Sequence, residues 1–248
     1  MKEKENTSFK KPNETHKGKH SAKSQKNLID DGFNAELVET ATFTGLLEIP
    51  LIKKPDEFII PKGMIPYNEL DKSKNYEEFV CFYEHDIHFR DILTATKEQI
   101  EFLKKFKGVI SPDCSLYYDM PLVLQMTNTY LNRQIGHYLQ TQGIYVIPNV
   151  RWGDERSYLR IIPGERPFAF LRLEKHGIYS IGTYGCCKTA EYKHHLKEGL
   201  RSFINEIEPE IILVYGAMSD SIFGEFKNDV HFVHFDDWTK AQHSQGGK

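Results

Sequence analysis

From about residue 75 onward, short apolar runs alternate with longer amphipathic stretches. "FVCFYE" (79–84), "GVISPD" (108–113), "IYVIP" (144–148), "IYSIGTYG" (178–185), "IILVYG" (211–216) and "VHFVHF" (230–235) read as six strands. Their near-continuous apolar character fits strands covered on both faces, as in a parallel sheet. Between them, "TKEQIEFLKKF" (96–106) reads as a helix capped by Thr94 or Thr96, and "TAEYKHHLKEGLRSFINEIE" (189–208) as another. Asp119 is a suitable N-cap with Pro121 near the first helical position, opening a long helix that runs to about Gln142 and ends at Gly143. The segment 156–177, which contains "RPFAFLRLEKHG", fits a short helix or a hairpin arm.

This alternation predicts an α/β fold with a mostly parallel sheet of about six strands, either an open doubly wound sheet or a partial barrel. The pattern changes before residue 76. Across 28–75, Pro50, Pro55, Pro61 and Pro66 interrupt apolar pieces such as "GLLEIPLI" and "EFIIP". Proline lacks the ladder donor, so these pieces are expected as edge strands or as a proline-rich arm packed on the core. The expected organisation is therefore a tail over 1–27, an irregular arm over 28–75, an α/β domain over 76–240 and a second disordered tail over 241–248.

Charge sharpens the reading of the first tail. Residues 1–27 carry eight lysines against Glu3, Glu5 and Glu14, a local +5 within a chain of net charge -3. Phe9 is the only aromatic there, so the segment cannot bury enough surface to offset ordering entropy, and disorder is expected. Such a tail can bind nucleic acid by counterion release, or serve as a solubilising extension without a specific partner.

The remainder, with 40% hydrophobic residues over the whole chain, suffices for one large core. No apolar run approaches the roughly 18 residues of a bilayer span, and the N-terminus lacks the apolar segment of a secretory signal. A cytoplasmic protein without membrane partners is expected. Cys81, Cys114, Cys186 and Cys187 are too few for a disulfide scaffold and lack zinc spacing, so reduced thiols are expected. The oligomeric state is left open.

Chemistry concentrates at the strand ends, which share one rim in either architecture. The rim gathers Glu84, Asp86 and His88; Ser111, Asp113, Tyr117 and Asp119; Asn149, Arg151, Asp154 and Glu155; Thr183, Tyr184 and Gly185; and Tyr215, Gly216 and Ser219. The densest piece is "IYVIPNVRWGDERSY" (144–158), a buried strand running straight into charge. Arg151 can fork onto a carboxylate or phosphate, with Asn149 orienting the anion. Asp113, Asp154 or Glu155 would act as acid–base groups. Asp119, Trp152, Tyr184 and Tyr215 would complete the lining. The structural alternative is that Arg151 pairs with Asp154 or Asp113 only to order the loop.

Glu84, Asp86 and His88 alternate, which would place them on one strand face. Asp86 and His88 are weak metal candidates, needing a further ligand such as His234 or Asp236. His194 and His195 point about 100° apart on a helix and read as an exposed face. Tyr130 and Tyr138, on the long helix, read as core cover. No GxxxxGK[ST] loop, GxGxxG turn or GxSxG elbow occurs, and "GTYGCCK" has the wrong spacing for a dinucleotide fingerprint. An ordinary ATPase, dehydrogenase or α/β-hydrolase is therefore disfavoured.

The pieces "SPD.S.Y.DMP", "N.Y.NR..G..LQ..G" and "IPN..WGDE.S", followed by "IGTYGCCK", resemble a bacterial and phage family, domain of unknown function 4417. The resemblance covers roughly 75–220, excludes the lysine tail and breaks between Leu159 and Ile178. It implies a bacterial, phage or mobile-element setting and supplies neither activity nor cofactor. The leading expectation is a strand-end crevice for a small anionic or nucleotide-like ligand, with catalysis left open. The competing ones are a non-enzymatic interaction protein that binds nucleic acid or a host protein through its tail and arm, and a metal-dependent nuclease or hydrolase.

Overall fold

The computed structural model describes residues 33–73, 75–186 and 188–245. The basic tail expected over 1–27 and Cys187 lie outside the described residues.

Among the described residues, seven short strands form two parallel sheets. The first has the order β1 (Met64–Pro66), β2 (Phe79–Cys81), β3 (Gly108–Ile110) and β4 (Val146–Ile147). The second has the order β5 (Ile178–Gly182), β6 (Ile211–Tyr215) and β7 (His231–Phe235). Every pairing is parallel and follows chain order. Neither sheet contains the reversal of strand order that defines a doubly wound sheet. The sheets meet where the chain leaves β4: Asn149 bridges Ser180 in parallel, the Ser180 amide donates to the Pro148 carbonyl and the Val150 amide donates to the Ser180 carbonyl.

The helices are α1 (Arg90–Thr94), α2 (Thr96–Leu103), α3 (Leu122–Thr141), α4 (Glu155–Tyr158), α5 (Ala190–Ile207), α6 (Asp220–Phe223) and α7 (Trp238–Gln245). Alternation along the strands divides the core. Met64, Phe79, Cys81, Ile110, Ile147, Ile178, Leu213 and Tyr215 form one cluster, with Val233 and Phe235 packed against it, so all seven strands contribute. The intervening Ile65, Val80, Val109 and Val146 face Ile100 and Leu103 of α2 and Ile135 and Leu139 of α3. Tyr179, Ile181, Ile212 and Val214 face Leu196, Leu200, Phe203 and Ile207 of α5. Each side of a strand thus meets a different apolar layer, which is why the strand sequences lack polar alternation.

Three local expectations change. The strand starting at Phe79 ends at Cys81, and Asp86–Phe89 is a 3-10 helix, so Glu84, Asp86 and His88 do not share a strand face. Asp86 instead accepts from the Ser115 amide and hydroxyl at 3.1 and 2.6 Å, a local anchor that outcompetes strand extension. Helix α3 begins after Pro121, and no side chain caps it, so Asp119 is not its N-cap. Proline at the boundary fixes the entry while Asp119 stays exposed.

The third change is one of place: the proline-interrupted stretch does supply an edge strand, as expected, but it is β1 (Met64–Pro66) and neither of the quoted apolar pieces. The ambiguous segment 156–177 gains its order from that same stretch. Arg172 donates to Thr44 Oγ1 and the Thr42 carbonyl, Glu165 accepts from the Leu46 amide, and Glu174 accepts from the Lys54 amide. Tyr130 and Tyr138 pack against apolar clusters, in keeping with core cover.

Candidate functional site

The carboxyl ends of β2, β3, β4 and β5 surround a cavity of about 140 Å³. Its floor is the stretch that follows β4. Asn149 is fully buried; its amide donates to Ser111 Oγ at 2.8 Å and its Nδ2 donates to Asp113 Oδ1 at 2.8 Å. Asp113 Oδ2 accepts from Arg151 Nη1 at 3.2 Å, and the same nitrogen lies 3.4 Å from the Gly182 carbonyl. The Tyr83 hydroxyl lies 2.5 Å from Ser180 Oγ and 3.2 Å from Asn149 Oδ1, while its ring stacks on Tyr215 at 4.9 Å. Gly182 makes this close approach feasible, because a Cβ there would sit 2.3 Å from the Tyr83 ring.

Burial pushes the Asp113 carboxyl above the usual carboxylate range, against the pull of Arg151 and Asn149. For Arg151, burial is the largest single influence and works against the charge, yet Asp113 together with Cys186, Tyr117 and Asp86 outweighs it and the guanidinium is held cationic. Arg151 Nε is buried and has no hydrogen-bond partner among the described residues. An arginine Nε–H and the adjacent Nη2–H form a planar fork matched to a carboxylate or phosphate. Asp113 therefore engages one end of Arg151 and leaves the fork for something else.

The walls are aromatic. Tyr117, Tyr118, Tyr184, Tyr192, His85 and His195 line the cavity, with Lys188 and Cys186 beside them. Tyr117 and Tyr184 are 41% and 57% exposed, so two tyrosine rings stand in solvent at the mouth. Tyr118 meets Tyr192 edge-on at 4.8 Å and stacks near-parallel on His195 at 5.8 Å.

The sequence-derived candidates separate accordingly. Asp113, Arg151, Trp152 and Tyr184 line the cavity, and Asn149 holds Asp113 from beneath. Trp152 is mostly occupied elsewhere: its Nε1 donates to the His195 carbonyl at 3.0 Å and its ring packs between Phe170 and Phe203. A Cβ on Gly199 would lie 2.0 Å from that Nε1. Gly199→Ala is therefore expected to cost about 2 kcal/mol through overpacking, read as a lower urea midpoint with an unchanged m-value.

Asp154 caps α4 and binds Arg156, accepting from its amide at 3.0 Å and from its guanidinium. Glu155 lies at the surface, its Oε2 3.9 Å from His195 Nδ1. Neither carboxylate lines the cavity, nor do Asp119 and Tyr215. The Tyr215 hydroxyl instead accepts from the Trp238 amide at 2.8 Å. Asp86 borders the site through Ser115, whereas His88 does not line it. No group of three or more His, Cys, Asp or Glu side chains with metal-holding geometry occurs among the described residues.

Two features of the site escaped the sequence reading. Arg133, 2% exposed on α3, donates to the carbonyls of Asn149, Ala169 and Leu171 at 3.2, 2.8 and 3.3 Å and to Asn132 Oδ1. Burial pushes it down to about 10. Asn132 donates to the Pro112 carbonyl at 2.5 Å. The pair fixes the backbone under Asp113 and Asn149 at once. Their signal was the polar pair "NR" on an otherwise core-covering helix. His195, expected on an exposed face, is the other; its side chain is only 13% exposed.

The fold and site thus define an α/β protein with a polar, tyrosine-walled cavity at its strand ends. The chain belongs to the family described as Domain of unknown function (DUF4417), which matches residues 41–236. The match is wider than the motifs alone suggested, taking in most of the proline-interrupted stretch. The chain is 26% identical over 175 residues to the "Gene 1 protein" of Mycobacterium phage L5, covering 69% of this chain and 72% of that protein. It is 24% identical over 137 residues to the "Gene 1 protein" of Mycobacterium phage D29, covering 55% of this chain and 48% of that protein. No solved structure matches. No helix among the described residues is long and apolar enough to cross a membrane.

Proposed function

We propose that this phage-type protein binds a small anionic, nucleotide-like ligand in the strand-end cavity, with the anion on Arg151 and a planar ring against the tyrosines. The observation that carries this reading is the buried, unpartnered Arg151 Nε in a cavity wall. A buried donor without an acceptor costs about 1–3 kcal/mol, which an arriving oxyanion recovers. Tyr117 and Tyr184 at the mouth offer π faces for a base. Asp113, with its carboxyl raised by burial, is the group placed for proton transfer if the ligand is also a substrate.

The architecture fits this reading as an incomplete barrel, its two sheets continuous through the Asn149–Ser180 bridge and its ligand at the carboxyl rim. The loop-ordering role of Arg151 is real but partial, since the Asp113 pair occupies only Nη1.

The test is calorimetric titration with adenosine and uridine monophosphates. Wild-type protein is expected to bind at least one of them, and Arg151→Ala to weaken that binding by about 100-fold, the scale of a charge-assisted bidentate contact. Equal affinity in the variant would sink the assignment.

A further inference from the structure

His195 lies on α5 and lines the same cavity as Arg151. Its ring is fixed on three counts. It stacks on Tyr118 at 5.8 Å with an interplanar angle of 19°, its Nδ1 lies 3.0 Å from the Tyr158 hydroxyl, and the same Nδ1 lies 3.9 Å from Glu155 Oε2. Tyr158 and Glu155 both belong to α4, so that short helix grips one edge of the imidazole and leaves the other.

The grip engages Nδ1 alone. Burial, with Glu155 and other nearby carboxylates, pushes the Tyr158 hydroxyl up to about 12, so it stays protonated. A hydroxyl both donates and accepts; where it donates to the Nδ1 lone pair, the imidazole proton sits on Nε2 and Nε2–H is left as a donor. Among the described residues, no side chain or carbonyl is recorded as a partner of Nε2.

We propose that His195 Nε2–H is a second anion donor acting with Arg151, and that the ligand's anionic group is therefore a tetrahedral oxyanion of the phosphate type and not a carboxylate. This rests on the anion-binding reading of Arg151. A carboxylate held in the arginine fork keeps only in-plane lone pairs on two oxygens that are already engaged, so it serves a donor on another element less well. A phosphoryl group keeps a third oxygen for His195. Arg151 and His195 both line this one cavity of about 140 Å³. Lys188 lines the same cavity and adds cationic field without a fixed geometry.

Other groups near His195 can imitate its effect and must be separated from it. His194 lies on the same helix with ring centroids 5.4 Å apart, and Tyr192 and Tyr118 flank the ring. Across the cavity stand His85, Glu84, Asp113 and Cys186, besides Arg151 and Lys188.

The test uses inorganic sulfate, which keeps one charge state across the working range, against acetate, at pH 6 and pH 8. Wild-type protein is expected to prefer sulfate by about tenfold or more, the scale of one extra charge-assisted hydrogen bond. His195→Phe, which retains the stack on Tyr118, should lose that preference by weakening sulfate alone, while His194→Gln, outside the cavity lining, should keep it. Nitrogen-15 spectra of the wild type should show the Nε2–H tautomer at pH 8, and Tyr158→Phe should give a mixture even if His195→Phe fails to fold. Equal affinity for sulfate and acetate, an unchanged preference in His195→Phe, or an Nδ1–H tautomer would each overturn the proposal while leaving Arg151 as an anion site. Sulfate binding that is absent, or unaffected by Arg151→Ala, would overturn the parent reading and this one together.

Discussion

Arg133→Met is expected to lower the stability of the protein by about 4 kcal/mol, the largest single loss foreseen outside the apolar core. The side chain is 2% exposed, and its bonds run to three carbonyls and to Asn132 Oδ1, with no carboxylate partner among the described residues. Two effects oppose each other. Removing a buried charge recovers desolvation energy, which is why a buried ion pair can be replaced by apolar residues at little cost. Here the acceptors are backbone carbonyls; that of Asn149 keeps Asn132 Nδ2 at 3.4 Å, while those of Ala169 and Leu171 are left in place without this donor. Each stranded acceptor costs about 1–3 kcal/mol, so the loss of several bonds outweighs the recovered charge. Equilibrium urea unfolding monitored by tryptophan fluorescence would measure the difference. An unchanged midpoint would mean that burying the charge costs as much as its bonds return.

Asp113→Ala should cost about 3 kcal/mol and should be the one variant that an added anion repairs. It removes the partner of a guanidinium whose side chain is only 14% exposed, leaving a buried charge uncompensated. Asn149 Nδ2 loses its acceptor in the same step. A phosphate or sulfate ion entering the cavity would restore an acceptor to Arg151, so the melting temperature of Asp113→Ala should rise with sulfate more steeply than that of the wild type. The opposite ranking would show that Asp113 helps to form the anion site and does not compete with it. A difference scanning fluorimetry series at constant ionic strength separates the two, since general screening acts on both proteins alike.

Both variants bear on how the site is built. The family motifs mix two kinds of residue that spacing alone does not distinguish. In "N.Y.NR..G..LQ..G", Asn132 and Arg133 hold the backbone from below, and Gly136 lets Ile52 close on α3, where a Cβ would sit 2.2 Å from its Cδ1. In "IPN..WGDE.S", Asn149 positions Asp113, while Trp152, Asp154 and Ser157 anchor the loop to α5 and α4. Arg151, which the motif leaves as an unspecified position, lines the cavity and has a buried Nε without a partner among the described residues. The charged stretch after β4 does line the cavity through Arg151, Trp152 and Gly153, but its carboxylates Asp154 and Glu155 do not.

The sequence by itself determined the α/β class, the positions of most strands and long helices, and the rim where polar residues collect. These follow from local periodicity, because a strand buried on both faces and a helix buried on one write different patterns into a dozen residues. Tertiary structure decided the rest. It divided the strands into sheets of four and three, recruited Met64–Pro66 as an edge strand, and ordered 165–176 against 42–54. It also paired Arg151 with Asp113 instead of Asp154, across 38 positions, and turned His195 into the cavity against Tyr158, 37 positions away. Hydrogen bonds across such distances depend on which strand ends and helices meet in space. No local pattern encodes that meeting; the shared apolar layers beneath the rim bring it about.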